Sequence, residues 1–306
     1  MSAANLAVFG NPGTKDLILY PLDTNAKTLE ADLRSLAPHA IVGPVFAQDT
    51  RTLAPSIDTS IPMFTLSNDQ TLVGRGMFVM GMPPQEEAQH ILSFSLKQGH
   101  KKFVALLPDD AYGHALELTF KQMLEGKEEV ESQVIFYSKT EDTPPETIKK
   151  WVANINAFEP HAIFVPDGTH ATQKLISTLK FKDLDFRTLR FLGSAQWDRP
   201  GLLKDHSFKG FWMTSNRSDH SLRFIQVFQK YFDLPPTPVD IVLYDTLGTI
   251  GMVRQHVGKA ALEKKDFIQE NGFPGVYGRF ILHPRGSAHR PWMIIQHTGG
   301  KPKRIG

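Results

Sequence analysis

Short apolar runs alternate with amphipathic stretches along most of the chain, and no other feature of the sequence limits the fold as strongly. Strands and helices that alternate in this way form parallel sheets covered by helices on both faces. The pattern therefore predicts an α/β fold with doubly wound parallel sheets. The apolar runs predicted to be strands lie at about 16–21, 40–45, 61–66, 77–81, 102–108, 132–137, 161–166, 189–193 and 210–214.

Helical spacing of apolar residues fills the intervals between these runs. The stretches 84–98 and 170–180 repeat apolar side chains every three to four positions, as one face of a helix requires. The predicted strands fall into two groups, before and after about residue 100, and two similar halves fit their number better than one sheet.

A different rhythm begins after residue 216. Two helices are predicted there, over 219–232 and about 238–257. The apolar segments RFILH and WMIIQH follow, joined by a polar turn that contains Pro284 and Gly286, and they are predicted to pair as a β-hairpin.

The composition is typical of a soluble globular protein. The 306 residues are 41% apolar and 22% charged, with a formal net charge of +2, which is too small to indicate nucleic acid or an anionic membrane as the main partner. The chain has no cysteine, which excludes disulfides, thiol catalysis and thiolate metal ligands without fixing the cellular compartment.

The first ten residues, MSAANLAVFG, are typical of the end of a helix with no strand before it. No transmembrane run or signal peptide is visible. We therefore expect an N-terminal portion to be missing, and a removed export signal or lipid-anchor cysteine is compatible with the sequence.

Five turns that directly follow predicted strands carry polar or aromatic side chains. In open parallel sheets, ligands bind outside the carboxyl ends of the strands, where helix N-termini present free N–H groups. These turns are therefore candidate ligand contacts. They contain Gln48, Asp49 and Thr50; Ser67, Asn68 and Asp69; Asp109, Asp110 and Tyr112; Asp167, Gly168 and Thr169; and Ser194, Gln196, Trp197 and Asp198.

Helix capping is the competing interpretation for the carboxylates, because Asp and Ser are preferred N-cap residues. Capping is favoured over ligand contact for Asp49, Asp69, Asp109 and Asp198. Asp110 is open to ligand contact if Asp109 caps the helix. For the two large aromatics, Tyr112 and Trp197, local packing and exposure to a cleft both remain open.

Sequence signatures of enzymes are absent. The chain contains no G-x-x-x-x-G-K-[ST] phosphate loop, no H-E-x-x-H pair and no G-x-S-x-G elbow. Its twelve histidines are scattered, without the close spacing of metal ligands. The sequence therefore predicts a protein that is not an enzyme, with no catalytic residues, no cofactor and no metal.

The motifs as a set resemble the type I periplasmic binding proteins, the family of the leucine/isoleucine/valine-binding receptors. Within it the chain is most similar to the penicillin-binding protein activator branch of bacterial lipoproteins. The resemblance covers nearly the whole chain. It rests on IVGPVFAQDTRTLAP, IPMFTLSND, FVALLPDDAYGHAL, AIFVPDGT, FLGSAQWD, LYDTLGTIGMV and NGFPGVYGRFILHPRGSAHR, in that order.

This resemblance implies two doubly wound lobes that close on a ligand in the cleft between them. Lobe one would comprise residues 1–99 and 217–276, and lobe two residues 100–216 and 277–306. The opening strand of lobe one would be missing or lie upstream of Met1.

The resemblance also implies the roles of individual residues. The loops Phe46–Ala47–Gln48 and Ser67–Asn68–Asp69 match those that hold the α-carboxylate in amino-acid receptors, but Ala47 replaces the usual serine and Asp69 the usual threonine. The acid that grips the α-ammonium would fall near Ala195–Gln196 and is missing there.

Further cleft positions follow from the same comparison. Tyr112 matches the cleft tyrosine of the family, and Tyr244 lies where another aromatic contact is common. We expect Asp110 and Tyr112 to face the cleft while Asp109 caps the helix, with Asp167, Gln196 and Trp197 as further contacts.

The incomplete amino-acid clamp favours the activator branch, whose members stimulate a penicillin-binding protein and so regulate peptidoglycan synthesis. The alternative is a solute-binding receptor that delivers an amino-acid-like or amide ligand to an ABC transporter permease. A sensory domain of a regulator is a third hypothesis, although no helix-turn-helix segment is visible. Both main hypotheses imply the periplasm, with membrane attachment through a lipid anchor outside the given sequence.

Overall fold

The computed structural model describes residues 2–10, 12–15, 17–141, 143–182, 184, 189–258 and 261–306. The chain divides into two compact units. Unit 1 comprises Met1–Pro83 and Arg217–Pro291, and unit 2 comprises Pro84–Asn216 and Trp292–Gly306. The chain passes from one unit to the other three times, as the division of the sequence into these four segments requires.

The described residues form ten α-helices and twelve strands. The first unit-1 segment contains α1 (Ser2–Gly10), α2 (Leu29–Leu36), β1 (Ile41–Val42), α3 (Ala47–Leu53), β2 (Met63–Thr65) and β3 (Phe78–Val79). The first unit-2 segment contains α4 (Pro84–Lys97), β4 (Lys102–Pro108), α5 (Ala111–Leu124), β5 (Glu131–Tyr137), α6 (Pro145–Phe158), β6 (Ala162–Val165), α7 (His170–Phe181), β7 (Arg190–Gly193), α8 (Pro200–Leu203) and β8 (Trp212–Ser215).

The chain then returns to unit 1 and ends in unit 2. The second unit-1 segment contains α9 (Asp219–Phe232), α10 (Pro238–Val257), β9 (Ile281–Leu282) and β10 (Ala288–His289), and the last unit-2 segment contains β11 (Met293–Gln296) and β12 (Lys303–Arg304). Short 3-10 turns lie at Pro12–Thr14, Ala54–Ser56, Gln70–Leu72, Ala195–Trp197, His206–Phe208 and Lys264–Phe267.

Unit 2 is built on a seven-stranded sheet in the order β12-β11-β8-β7-β6-β4-β5. Strands β4 to β8 run parallel, while β11 is antiparallel to β8 and β12 is antiparallel to β11. Since successive side chains in a strand point to opposite faces, Phe103 and Ala105 face one side of the sheet and Val104 and Leu106 face the other.

Helices bury both faces of this sheet. On one face α4 and α5 contribute Ile91, Leu116 and Phe120, and on the other α6 and α7 contribute residues such as Ile155 and Ile176. Each such side chain stabilises the fold by about 1.5–3 kcal/mol relative to exposure. The helices therefore fix the polar turns at the carboxyl ends of the strands.

Unit 1 contains a smaller parallel sheet in the order β1-β2-β3 and a separate two-stranded pair, β9-β10. The Phe64 ring is stacked on Phe78, with centroids 5.0 Å apart, and contacts Phe267 edge-on at 4.9 Å. The β1-β2-β3 sheet of unit 1 and the seven-stranded sheet of unit 2 confirm the α/β class predicted from the sequence.

Most predicted elements are confirmed to within a few residues, but the predicted strand at 16–21 is wrong. Asp16 lies outside the described residues, and Leu17–Pro21 is irregular and mostly exposed. Its composition suits a strand, yet a strand requires a hydrogen-bonded neighbour, and the three-stranded sheet of unit 1 does not include this segment.

The predicted hairpin is also wrong. Strand β9, from the RFILH segment, pairs with β10 through a turn that includes Gly286, whereas β11, from WMIIQH, joins β8 in the sheet of unit 2. Both segments have the apolar alternation of strands, but β11 pairs with a strand of unit 2, whereas β9 and β10 belong to unit 1. The boundary consequently falls at Pro291–Trp292 instead of 276–277.

The predicted boundary near residue 99 also differs from the observed one. Helix α4 belongs to unit 2 by its contacts, since Ala88, Ile91 and Leu92 are buried against α5 and the unit-2 sheet. The unit boundary therefore precedes this helix, at Pro83–Pro84, instead of following it.

Candidate ligand-binding site

The carboxyl ends of strands β4 to β8 lie along one edge of the unit-2 sheet, because these strands are parallel neighbours. The N-termini of α5 and α7 begin directly after β4 and β6 at this edge. This arrangement places four predicted residues of unit 2, Asp110, Tyr112, Asp167 and Gln196, on the same edge. It also brings Lys139 and Glu87 there, and the sequence interpretation selected neither of them.

Asp110, and not Asp109, caps helix α5. The Asp110 carboxylate accepts the backbone N–H of Gly113 at 2.9 Å, whereas Asp109 lies 3.0 Å from His114 Nε2. Asp110 therefore has the capping role that was predicted for Asp109. The reason is local geometry: Asp110 has the extended backbone of an N-cap, and β4 ends one residue before Asp109.

Lys139 follows β5 and connects the acids of this edge. Its ammonium lies 2.9 Å from Asp110 Oδ2, 3.8 Å from Asp167 Oδ2 and 5.4 Å from the centre of the Tyr112 ring. Burial acts to raise the pKa of Asp110, but the hydrogen bonds from Lys139 and Gly113 outweigh it and hold that pKa below its ordinary value. The ends of β5 and β8 are the two strand ends of this edge that the sequence interpretation did not select.

Asp167 is buried, and its carboxylate is occupied by the protein itself. The hydroxyls of Tyr137 and Thr172 each donate to Oδ2 at 2.8 Å, and Thr169 donates through its hydroxyl at 2.9 Å and its backbone N–H at 3.1 Å. The carboxylate thus joins β5, β6 and the start of α7. We assign Asp167 the role of positioning the edge, and its predicted contact with a ligand remains untested.

Glu87 places a third carboxylate at the edge, from the first turn of α4. It accepts hydrogen bonds from the Ala195 backbone N–H and the Thr214 hydroxyl. Burial raises the pKa of Glu87, although both hydrogen bonds act to lower it. Acids in the first turn of a helix are common for electrostatic reasons, so the sequence alone did not distinguish Glu87 from its neighbour Glu86.

Tyr112 and Gln196 meet at the surface of this edge. Gln196 Nε2 donates to the Tyr112 hydroxyl at 3.3 Å, and Gln196 Oε1 accepts the backbone N–H of Gly168 at 3.2 Å. Burial raises the pKa of Tyr112, and the charges of Glu87 and Asp167 raise it further, so the phenol remains protonated and able to donate. The pair therefore offers an aromatic face together with amide and hydroxyl groups.

Trp197 packs in the core, which decides the alternative that the sequence left open. Its side chain is 1% exposed, and the indole Nε1 donates to the Val165 carbonyl at 2.8 Å. The ring contacts Phe208 edge-on at 5.1 Å. Its predicted contact with a ligand does not fit this position, because the indole and its single donor are already engaged.

In unit 1 the predicted residues lie after β1 and β2. Phe46 is 70% exposed and Gln48 and Asn68 are exposed, while Ala47 is half-buried in the first turn of α3. Ser67 is buried, and its hydroxyl accepts the Asp69 backbone N–H at 3.1 Å. These residues remain predicted ligand contacts.

The three other predicted caps, Asp49, Asp69 and Asp198, have different outcomes. Asp69 caps a 3-10 turn by accepting the Thr71 N–H at 2.9 Å, as predicted. Asp49 lies inside the first turn of α3, whose N-cap is Phe46, and Asp198 accepts the hydroxyl of Ser215; capping by these two acids is therefore wrong.

The Asp69 charge is also compensated. Arg51 Nη2 lies 2.5 Å from Asp69 Oδ2, and both side chains belong to unit 1. Burial acts to raise the pKa of Asp69, but its hydrogen bonds to Thr71 and Arg51 hold it below the ordinary value. The acid is therefore present as a paired carboxylate and not as a free negative charge.

Tyr244 is half-buried on α10 and packs against Phe224, with ring centroids 4.7 Å apart. The next residue, Asp245, forms a buried ion pair with Arg290 at 3.3 Å and accepts the Val276 N–H at 2.8 Å. Burial raises the pKa of Asp245 to about 6, although Arg290 and Val276 act to lower it. The sequence interpretation missed this pair because its members are far apart in the chain.

Within the described ranges, no group of three or more His, Asp or Glu residues has the arrangement of a metal site. None of the helices in that part of the chain is both long and apolar enough to span a membrane.

Residues 24–301 match the family model described as periplasmic binding protein. Because the match extends over most of the chain, this protein belongs to the periplasmic binding protein family. The family resemblance seen in the sequence is thereby confirmed, whereas the comparisons give no support for the penicillin-binding protein activator branch.

Solved structures show the same fold over nearly the whole chain. A putative branched-chain amino acid ABC transporter protein from Rhodospirillum rubrum has a TM-score of 0.81 at 13% identity, and covers 99% of this chain and 93% of its own. An ABC transporter substrate-binding protein from Desulfitobacterium hafniense in complex with Leu has a TM-score of 0.69 at 18% identity, with 99% and 94% covered. At these identities the likeness establishes the fold alone.

A curated relative matches a smaller part. An uncharacterized protein of Rickettsia prowazekii is 31% identical over 117 residues, which is 38% of this chain. The match spans 30% of that protein's length.

Proposed function

We propose that this protein is a solute-binding protein of an ABC transporter and that it binds an amino-acid-like or amide solute. The observation that carries the proposal is the Tyr112–Gln196 pair at the carboxyl ends of the unit-2 strands, with the Lys139 ammonium over the Tyr112 ring and the Glu87 carboxylate bonded to the Ala195 backbone N–H. An aromatic face with hydroxyl, amide and both signs of charge suits a small polar solute.

Two objections to an amino-acid-like ligand arose from the sequence, and the structure weakens both. The first was an unfavourable acid at Asp69, but Arg51 neutralises that carboxylate. The second was the missing acid near Ala195, but Glu87 brings a carboxylate to the Ala195 backbone N–H from another element. Both observations favour a receptor over a protein that has lost its solute site.

Family membership implies an extracytoplasmic location, and the proposed partners are the solute and a transporter permease. The structural neighbours support this proposal, since one of them is a substrate-binding protein in complex with Leu. Activation of a penicillin-binding protein stays a prediction, as does a lipid anchor. Nothing in the family or the site indicates an enzyme, and we propose a non-enzymatic role.

Variants of the Tyr112–Gln196 pair test the proposal. We expect Gln196→Ala and Tyr112→Ala to weaken solute binding by about tenfold or more, because each removes a hydrogen-bonding group that the solute would contact. Leu118→Ala is the matched control, since Leu118 is an exposed side chain on the same helix as Tyr112. Isothermal titration calorimetry with amino acids and their amides provides the affinities. Equal affinities in all three variants would overturn the assignment of this site.

A further inference from the structure

A second polar cluster lies at the opposite edge of the unit-2 sheet, where strands β4, β6, β7 and β8 begin. His100 precedes β4, His161 precedes β6, and Arg190 is the first residue of β7. We call these three side chains the basic cluster. Trp212, the first residue of β8, provides its aromatic floor.

Ring contacts hold the basic cluster together. The imidazole of His100 is stacked on the indole of Trp212, with centroids 5.4 Å apart, and the Arg190 guanidinium carbon lies 4.7 Å from the centre of the same indole. The two imidazoles have centroids 6.3 Å apart. The Trp212 indole therefore contacts both His100 and Arg190, and His161 lies beside His100.

The protein fixes the orientation of each donor. Ser95 Oγ lies 2.7 Å from His100 Nδ1, and His161 Nδ1 accepts the Lys101 backbone N–H at 2.9 Å. Because His161 Nδ1 accepts this hydrogen bond, it carries no proton, and the proton of the neutral imidazole is on Nε2. Arg190 Nη1 donates to the Gly210 carbonyl at 2.7 Å, while its Nε is buried without a hydrogen-bond partner.

Among the residues that the structure describes, no carboxylate is paired with this cluster. In the described ranges neither histidine of the basic cluster nor Arg190 forms an ion pair with an acid, while the nearby Lys101 and Lys102 pair with Glu129 and Glu131. Burial lowers the pKa of His100, and the charges of His161 and Arg190 lower it further. A positive charge on His100 is therefore disfavoured by its surroundings, and a bound anion would favour it.

We propose that the basic cluster is a binding site for a small anion that carries a phosphate group. A phosphate oxygen accepts charged N–H donors at about 2.8 Å, so one tetrahedral group can bridge two imidazoles and a guanidinium. A carboxylate has only two oxygens for three donors that come from three different elements. The site lies at the amino ends of the strands and is separate from the proposed solute site.

Three variants test the proposal. Arg190→Gln removes the guanidinium. His161→Asn removes the Nε2 proton but keeps an acceptor in the place of Nδ1, and His161 is exposed, so folding is expected to be unaffected. Lys149→Gln is the control, because it removes one exposed positive charge from α6. Circular dichroism and thermal unfolding verify that each variant is folded.

The readouts are calorimetry and NMR titration of the His100 and His161 ring signals at constant ionic strength. Inorganic phosphate and glycerol phosphate are the two probes, with chloride and acetate as references. We expect saturable binding of at least one phosphate probe and an upward shift of the His100 pKa on binding. Affinity should fall about tenfold or more in Arg190→Gln and several-fold in His161→Asn, and should be unchanged in Lys149→Gln.

The two probes distinguish the source of the phosphate group. Tighter binding of glycerol phosphate would identify an organic phosphate as the ligand class, and tighter binding of inorganic phosphate would identify the free ion. Either result supports the site. Equal responses to chloride and phosphate, tighter binding of acetate, or full phosphate affinity in Arg190→Gln would overturn it.

Discussion

The Lys139 ammonium lies 2.9 Å from the Asp110 carboxylate, and this ion pair connects the segment after β5 to the N-cap of α5. The pair is partly exposed, so its own contribution to stability is small. Its importance is positional, because it holds the ammonium over the face of the Tyr112 ring. Asp110 therefore both caps α5 and fixes the position of Lys139.

The capping role of Asp110 gives the first prediction. We expect Asp110→Ala to lower the free energy of unfolding by about 1 kcal/mol, the usual value of a lost N-cap hydrogen bond. Asp109→Ala removes an exposed contact with His114 and should cost at most about 0.5 kcal/mol. Urea unfolding of both variants measures the two values. A larger loss in Asp109→Ala than in Asp110→Ala would show that the cap is assigned to the wrong acid.

Asp167 is predicted to be more important for stability than its surface neighbours. Asp167→Ala should destabilise the protein by roughly 3 kcal/mol or more, because the buried hydroxyls of Tyr137 and Thr172 lose their acceptor. Tyr137→Phe removes a single donor and should cost about 1 kcal/mol. Chemical denaturation of both variants tests this ordering, and a cost for Asp167→Ala no greater than that for Tyr137→Phe would contradict it.

Gly113 allows α5 to begin close to β4. A Cβ atom at this position would lie 1.8 Å from the Pro108 carbonyl oxygen, a contact that requires backbone movement. We expect Gly113→Ala to destabilise by more than about 2 kcal/mol despite the higher helix propensity of alanine. Gly201→Ala, a helical position with open space around its Cβ, is the control and should be neutral or slightly stabilising. Similar thermal stability of the two variants would be evidence against this packing.

The buried Asp245–Arg290 pair gives a prediction about both mutation and pH. Asp245→Leu or Arg290→Leu leaves one buried charge without its ion-pair partner and should cost about 3–5 kcal/mol, whereas the double variant should cost less than either single one. A double-mutant cycle measures the coupling. Additive costs would contradict the pairing.

The pH dependence follows from the raised pKa of Asp245, which is about 6 in the folded protein against an ordinary value of 3.8. The folded state then binds more protons than the unfolded state between these values. The stability that protonated Asp245 contributes is present below about pH 4 and is lost as the pH rises to about 6. Denaturation between pH 4 and 7 should show this loss in the wild type and not in the double leucine variant.

Local patterns in the sequence were sufficient for elements whose partners are nearby in the chain. Strand β4 and helix α10 begin and end at the predicted residues. The buried run of β4 and the cap of α10 both consist of residues that are consecutive or close together in the sequence. The Leu17–Pro21 segment has equal strand character, but pairing decides whether a strand forms. Strand β11 likewise found its partner, β8, far away in the sequence.

The candidate site was predictable in its location but less so in its chemistry. The rule for parallel strands identified the edge that contains Tyr112, Gln196 and Asp110. The same rule did not identify Glu87, which reaches the edge from the preceding helix. It also did not predict that Trp197 packs in the core. Side-chain direction in a short turn depends on tertiary packing, which a single sequence does not record.

The central claim is that the chain binds a small solute, and a thermal-shift screen tests it most directly. The protein is heated with and without amino acids, amides, sugars and peptidoglycan fragments. We predict that an amino-acid or amide compound raises the midpoint of unfolding by about 5 °C or more at roughly a hundred times its dissociation constant. A flat response to all four classes would contradict the account and direct the search for function to a protein partner.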